Sequence, residues 1–144
     1  MKGTPSLKME TDSYRYWKKT NVFPQKQKGF YAVDILIPSG DITMTQMEAV
    51  VQLCRRLNLP DEVRVTLAQS FLLGWIPEKE LPSVYQELVQ CGLAASGIGA
   101  IHRVISCLGA ETYPTALTQS RTLAKLLSHV LFQMYGEDPE DLRG

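Results

Sequence analysis

Apolar residues fall at every second position from Tyr31 to Ile37: Tyr31, Val33, Ile35 and Ile37 alternate with Ala32, Asp34 and Leu36. A period of two predicts a strand, and Pro38-Ser39-Gly40 stops it, so residues 29–41 read as a strand and a turn. The period then changes. In TMTQMEAVVQLCRRLNL, Met47, Val50, Val51, Cys54 and Leu57 share one helical face. Thr43 with Gln46, or Thr45 with Glu48, supplies a capping box, and Pro60 closes the helix. EVRVTL (62–67) and SFLLGWI (70–76) read as two further strands. PEKELPSVYQELVQCGL (77–93) opens on Pro77 and Glu78, carries Leu81, Val84, Leu88 and Cys91 on one face, and ends at Gly92, where a left-handed cap belongs. A loop of small residues, AASGIGA (94–100), leads to IHRVISC (101–107), a fourth strand in this reading.

The predicted order is β-α-β-β-α-β, the ferredoxin-like split pattern. The expected fold class is therefore α+β: a four-stranded antiparallel sheet with two helices on one face, plus an extra C-terminal helix. That last helix spans TALTQSRTLAKLLSHVLFQMYG (115–136). Leu117, Ser120, Ala124, Leu127, Leu131 and Met134 keep a 3-4 spacing, with Leu123 and Val130 beside them. It is expected to cover the free sheet face or to pair with another chain. The expected organisation is a basic N-terminal arm (1–28), a ferredoxin-like half-domain (29–110), the C-terminal helix (111–136) and an acidic tail (137–144).

Charge sharpens this division. Lys+Arg 15 against Asp+Glu 15 gives a formal net charge of zero, which argues against a dedicated nucleic-acid binder. Residues 1–28 carry seven Lys/Arg and two acids, +5, while residues 29–144 carry eight and thirteen, −5. The three cysteines, Cys54, Cys91 and Cys107, are too few and too scattered for a disulfide framework, so a reducing cytoplasm is the expected setting. No apolar run has the length to cross a bilayer, and the N-terminus lacks the apolar core of a secretory signal.

Few residues suggest chemistry by themselves. Cys54 and Cys91 lie on apolar helix faces and read as buried thiols. Cys107 stands at a strand end two positions before Gly109, where a side chain can meet a cavity. His102 and Cys107 do not make a four-ligand metal set. AASGIGA leads into a strand, so it is not a phosphate loop. Arg64, Thr66, Gln69 and Arg103 interrupt apolar stretches. An arginine in a strand suits an anionic or carboxylate partner, and also suits a solvent-facing sheet surface.

The stretch from Gly29 to about Leu131 resembles the ferredoxin-like half-domain of sirohaem-dependent sulfite and nitrite reductases, running into the start of their iron–sulfur region. GFYAVDILIPSGDITMTQMEAVVQLC is similar to the family's opening strand, turn and helix. RVTLAQSFLLGWIPEKELPSVYQELVQCGL is similar to its R-x-T-x-R-Q block and the "hG…dLp…GL" segment that follows. HRVISCLGAETYPTAL is similar to its first cysteine segment. The resemblance implies a six-electron reduction of sulfite or nitrite at sirohaem coupled to a 4Fe–4S cluster. It implies that Arg64, Thr66, Gln69 and Arg103 face the tetrapyrrole or substrate, and that Cys107 is the first cluster ligand. The sequence departs from the family at Ala68, Leu73, Leu108 and Tyr113, the last standing where a second cysteine belongs. No cysteine follows Cys107, and a 4Fe–4S cluster normally takes four thiolates, so none is expected on this chain alone. The family's second half-domain and most of its catalytic region also lie outside this sequence.

Three functions compete. One is a reductase-like half-domain without reductase activity of its own, binding a tetrapyrrole or oxyanion as a homodimer or on a larger reductase-type subunit. Another is a redox subunit that completes a sirohaem and iron–sulfur centre with a partner chain. The third is an RNA-binding or protein-interaction sheet using the basic arm with Tyr31 and Phe71. The first is the expectation carried forward.

Overall fold

The computed structural model describes residues 7–59, 63–110, 112–115 and 117–135. Among them the elements run α1 (Leu7–Asn21), β1 (Val22–Pro24), β2 (Phe30–Leu36), α2 (Met44–Arg56), β3 (Val63–Val65), β4 (Ser70–Pro77), α3 (Leu81–Gln90) and α4 (Ser120–Tyr135). The strands form one antiparallel sheet in the order β1-β2-β4-β3. The α+β class, the four-stranded sheet and the C-terminal helix are as expected.

The seat of the fourth strand is not. Residues 101–107 form a turn and an irregular segment, and β1 takes the edge beside β2 instead, pairing Val22 with Val33 and Pro24 with Tyr31. The physical reason is proximity along the chain. Only five residues join β1 to β2, closed by Gln25 N–H to the Phe30 carbonyl at 3.0 Å. Bringing residues 101–107 to the same edge would close a far longer loop. Once β1 holds that edge, its hydrogen-bonding groups are spent.

The N-terminal segment is correspondingly more than an arm. α1 runs straight into β1, and Trp17 is fully buried, its ring centroid 5.1 Å from that of Tyr85 on α3. Tyr14 adds a tilted contact to the same tyrosine at 5.3 Å. Asn21, also fully buried, donates to the carbonyls of Asp34 at 2.9 Å and Ala95 at 3.0 Å. The amide of Gly97 donates to Thr20 Oγ1 at 2.9 Å. The end of α1 therefore fastens the 94–100 loop to the sheet. The mixture of aromatic and cationic residues hid this, because Arg15 before Trp17 and Lys18 and Lys19 after it masked an inward-facing stripe.

One face of the sheet carries the core. Val33, Ile35 and Ile37 of the β2 region and Leu73 and Ile76 of β4 meet Val50, Leu53 and Cys54 of α2 and Leu81, Val84 and Leu88 of α3. Three helices rather than two share this core, since Trp17 of α1 belongs to it. Thr43 makes the capping box of α2: its hydroxyl accepts from Gln46 N–H at 3.2 Å while Gln46 Oε1 accepts from Thr43 N–H at 3.1 Å. α2 ends before Pro60. Asn58 adopts φ 56°, and Leu59 N–H reaches back to the Cys54 carbonyl at 2.8 Å, a Schellman closure. α3 ends the same way at Gly92, as expected, with Leu93 N–H on the Leu88 carbonyl at 2.8 Å. A bulge in β4 places Gly74 and Trp75 opposite Ala32 alone, with Trp75 at φ 59°.

Candidate functional site

A cleft of about 530 Å³ opens at the end of the sheet where β2 leaves and the β3–β4 hairpin turns. Four segments build it: the turn after β2, the hairpin, the loop carrying Cys107, and the first turn of α4. Its volume lies in the ordinary range of ligand pockets.

The hairpin sets the polar side of the cleft. Thr66 N–H bonds to the Ser70 carbonyl at 3.0 Å, and the three residues between them include Gln69 at φ 55°. That left-handed conformation usually goes to glycine in such a turn, and a glutamine there is a mildly strained choice. The strain directs a side chain. Gln69 Nε2 donates to the Ser106 carbonyl at 2.7 Å, which ties the hairpin to the Cys107 loop. The Thr66 and Ser70 hydroxyls lie 2.5 Å apart, and Thr66 Oγ1 accepts from Ala68 N–H at 3.1 Å. Ser70 in turn hydrogen-bonds the Asp34 carboxylate. Burial holds the pKa of that carboxylate above its usual range, and the Ser70 hydroxyl partly offsets the shift.

The opposite wall is the Cys107 loop. Gly109 sits at φ 64°, and a side chain there would meet Ser120 N at 2.8 Å and Thr118 O at 3.0 Å. This close approach lets Ala110 N–H bond to the Thr118 carbonyl at 2.8 Å. It sets the exposed Cys107 thiol 3.4 Å from Ser120 Oγ, at the start of α4. The Ser120 hydroxyl and the Gly109 backbone N–H lower the Cys107 pKa below the usual thiol value.

Arg121 completes the site. It pairs with Asp41 at 3.0 Å, linking α4 to the turn after β2. Its Nε is buried without a hydrogen-bond partner among the described residues, and so are Ser106 Oγ and Gln69 Oε1. Three orphaned polar atoms on residues lining one cleft are unusual in a settled structure, because each costs desolvation energy.

The structure thus divides the residues singled out from the sequence. Thr66, Gln69 and Cys107 converge on the cleft. Arg103 does not line it. Its guanidinium donates to the Ser96 carbonyl, and it borders a smaller adjoining cavity of about 200 Å³, to which Gln69 also contributes. Arg64 is exposed on β3 opposite Leu72 and does not line the cleft. Tyr31 and Phe71, the candidate RNA-stacking aromatics, pack against the core. Sequence reading missed Ser106 and Arg121. Arg121 had a signal: a cation in the first turn of a helix opposes the helix dipole and needs another reason to be there.

The donor set can be tested against the groups the resemblance implies. Cys54 is buried in α2, Cys91 is half-buried after α3 with its thiol on the Leu88 carbonyl at 3.4 Å, and Cys107 is exposed. No three His, Cys, Asp or Glu side chains among the described residues are placed to hold a metal ion. A 4Fe–4S cluster on four thiolates does not fit this chain. An anionic group fits better, since Arg121 Nε–H and the Ser106 hydroxyl are unmatched donors.

Comparison with known proteins agrees with the fold. Residues 23–91 match the family model of the nitrite/sulfite reductase ferredoxin-like half domain. The chain is 26% identical over 118 residues to a ferredoxin–nitrite reductase of Synechococcus elongatus; the match covers 80% of this chain and 23% of that protein. The chain thus spans about a quarter of the length of the curated relative it matches. No solved structure matches. Among the described residues no helix is long and apolar enough to cross a membrane.

Proposed function

We propose that this chain, a member of the nitrite/sulfite reductase family through its ferredoxin-like half domain, binds an anionic ligand in the Cys107–Arg121 cleft and works as one part of a larger assembly. The ligand is a carboxylate edge of a tetrapyrrole such as sirohaem, or a small oxyanion of the sulfite and nitrite type. One observation carries the reading: Arg121 Nε and Ser106 Oγ are buried, unpartnered donors on residues lining a cleft of about 530 Å³.

The residues divide the work. Arg121 supplies charge and a donor, held in place from behind by Asp41. Ser106 supplies a second donor. Thr66 offers a hydroxyl that donates either to Ser70 or to the ligand. Gln69 pins the hairpin to the Cys107 loop and leaves Oε1 for a protonated ligand oxygen or a water. When bound, sirohaem would supply the redox chemistry; this chain's residues supply anion recognition. Cys107 acts as an exposed, acidified thiol at the rim rather than as a cluster ligand.

The test is a titration of the purified chain with sirohaem, sulfite and nitrite, followed by absorbance and calorimetry. The expected result is binding that Arg121→Ala weakens at least tenfold, a loss of about 1.4 kcal/mol or more, while circular dichroism stays unchanged. Binding of equal strength in wild type and Arg121→Ala, or no binding of any of the three, would overturn the proposal.

A further inference from the structure

α4 faces the wrong way for an ordinary packed helix. The side chains that meet the body are Arg121, on Asp41; Ala124, 5% exposed; Ser128, which accepts from Val104 N–H at 3.4 Å; and Phe132, edge-on to His102 at 5.3 Å. At about 100° per residue, these define one side of the helix. The opposite side carries Leu123, Leu126, Leu127, Val130 and Met134, with Leu131 at its border. Their exposures are 55%, 60%, 42%, 40% and 67% for the first five. The more apolar face thus points away from the protein, which is the mark of an interaction surface.

The spacing identifies the occupant. Leu123, Leu127, Val130 and Met134 are separated by four, three and four residues, a heptad seam that reads the same in both directions. A twofold axis between Ser128 and His129 sets Leu123 against Met134, Leu127 against Val130, and Leu126 against Leu131 of a second copy. Each apolar side chain then meets another apolar side chain. The helix dipoles favour the same arrangement, since antiparallel pairing sets the two dipoles of α4 in opposition and parallel pairing would align them.

We infer that two copies of this chain associate through α4, antiparallel, about the Ser128–His129 midpoint. The inference deepens the assembly part of the function proposed above and is independent of the anion cleft, whose residues lie on the other side of the helix. It is tested by light scattering on the eluting full-length chain at micromolar concentration. Wild type is expected at twice the 16.2 kDa chain mass. The double variant L127E/V130E sets carboxylates against each other across the axis and is expected at the single-chain mass with unchanged circular dichroism. The double variant L127E/V130K sets a carboxylate opposite an ammonium at both symmetric contacts and is expected to recover the dimer. A monomeric wild type, or a dimer that L127E/V130E leaves intact, would overturn the inference. So would failure of L127E/V130K to recover association, since the antiparallel register requires it. Ligand titration of the monomeric variant separates the two proposals, because a working cleft in a monomer leaves the anion reading standing.

Discussion

Replacing Gly109 with alanine tests how the Cys107 loop is held. Two costs act at this position. The backbone stands at φ 64°, where a side chain costs about 1–2 kcal/mol. The added methyl would also lie 2.8 Å from Ser120 N and 3.0 Å from Thr118 O. Both are backbone atoms and cannot swing aside, so overpacking adds roughly 1–3 kcal/mol. Gly99 isolates the first cost: it has φ 76° but nothing within 4 Å of an added methyl. Gly99→Ala should therefore show the conformational cost alone, and Gly109→Ala more. In a chain of this size, each kcal/mol lost lowers the melting temperature by roughly 3 °C. The loop can also relieve the clash by lifting off α4, which would break the Ala110–Thr118 hydrogen bond and separate Cys107 from Ser120. The assay is therefore twofold: thermal melting, and the pH dependence of Cys107 alkylation read peptide by peptide by mass spectrometry. In wild type, alkylation should rise at a pH below the usual thiol range, because Ser120 and the Gly109 N–H favour the thiolate. In Gly109→Ala that rise should move to higher pH. If Gly109→Ala melts with Gly99→Ala and leaves the Cys107 profile unmoved, the tight loop does not acidify the thiol.

Asp34→Asn probes the buried carboxylate behind Ser70. Burial raises the Asp34 pKa in the folded state, so its contribution to stability is fully present below the unfolded carboxylate pKa and is lost as pH rises through the folded value. Asp34→Asn should accordingly gain melting temperature over wild type at neutral pH, with the gap closing on acidification; a constant gap across pH would contradict this. Trp17→Ala removes a fully buried ring from the core and should cost about 3–5 kcal/mol by urea denaturation. A loss under 1 kcal/mol would mean that α1 does not belong to the core.

Much of the architecture was readable along the chain. The alternation from Tyr31 to Ile37, the Thr43–Gln46 box and the Gly92 cap are local signals, and local hydrogen bonds satisfy them without reference to distant residues. The choice of the fourth strand was not local. HRVISC has the composition of a strand, but a strand forms only where an edge is open, and β1 closes that edge from a shorter distance along the chain. The same holds for α1, whose lysines disguise an inward Trp17 that only its contact with Tyr85 reveals.

The candidate site divides along the same line. Thr66, Gln69 and Cys107 were visible as polar or reactive residues out of place in apolar stretches. Sequence alone could not separate them from Arg64 and Arg103: Arg64 stands two residues before Thr66, so alternation does not tell them apart, and residues 101–107 form no strand whose faces could sort Arg103 from Cys107. Arg121 entered the site through a helix that folds back about fifty residues beyond the hairpin. The polarity of α4 shows the limit most clearly. Periodicity announced an apolar helix, but the stripe drawn from Leu117, Ser120, Ala124, Leu127, Leu131 and Met134 is rotated from the exposed face: Ala124 turns inward, Leu117 precedes the helix, and Leu123 and Val130 take the centre. Which way that face points depended on Asp41, Val104 and His102 receiving Arg121, Ser128 and Phe132 on the other side. Periodicity specifies that a face exists; tertiary contacts decide whether it is buried within the chain or left for another copy.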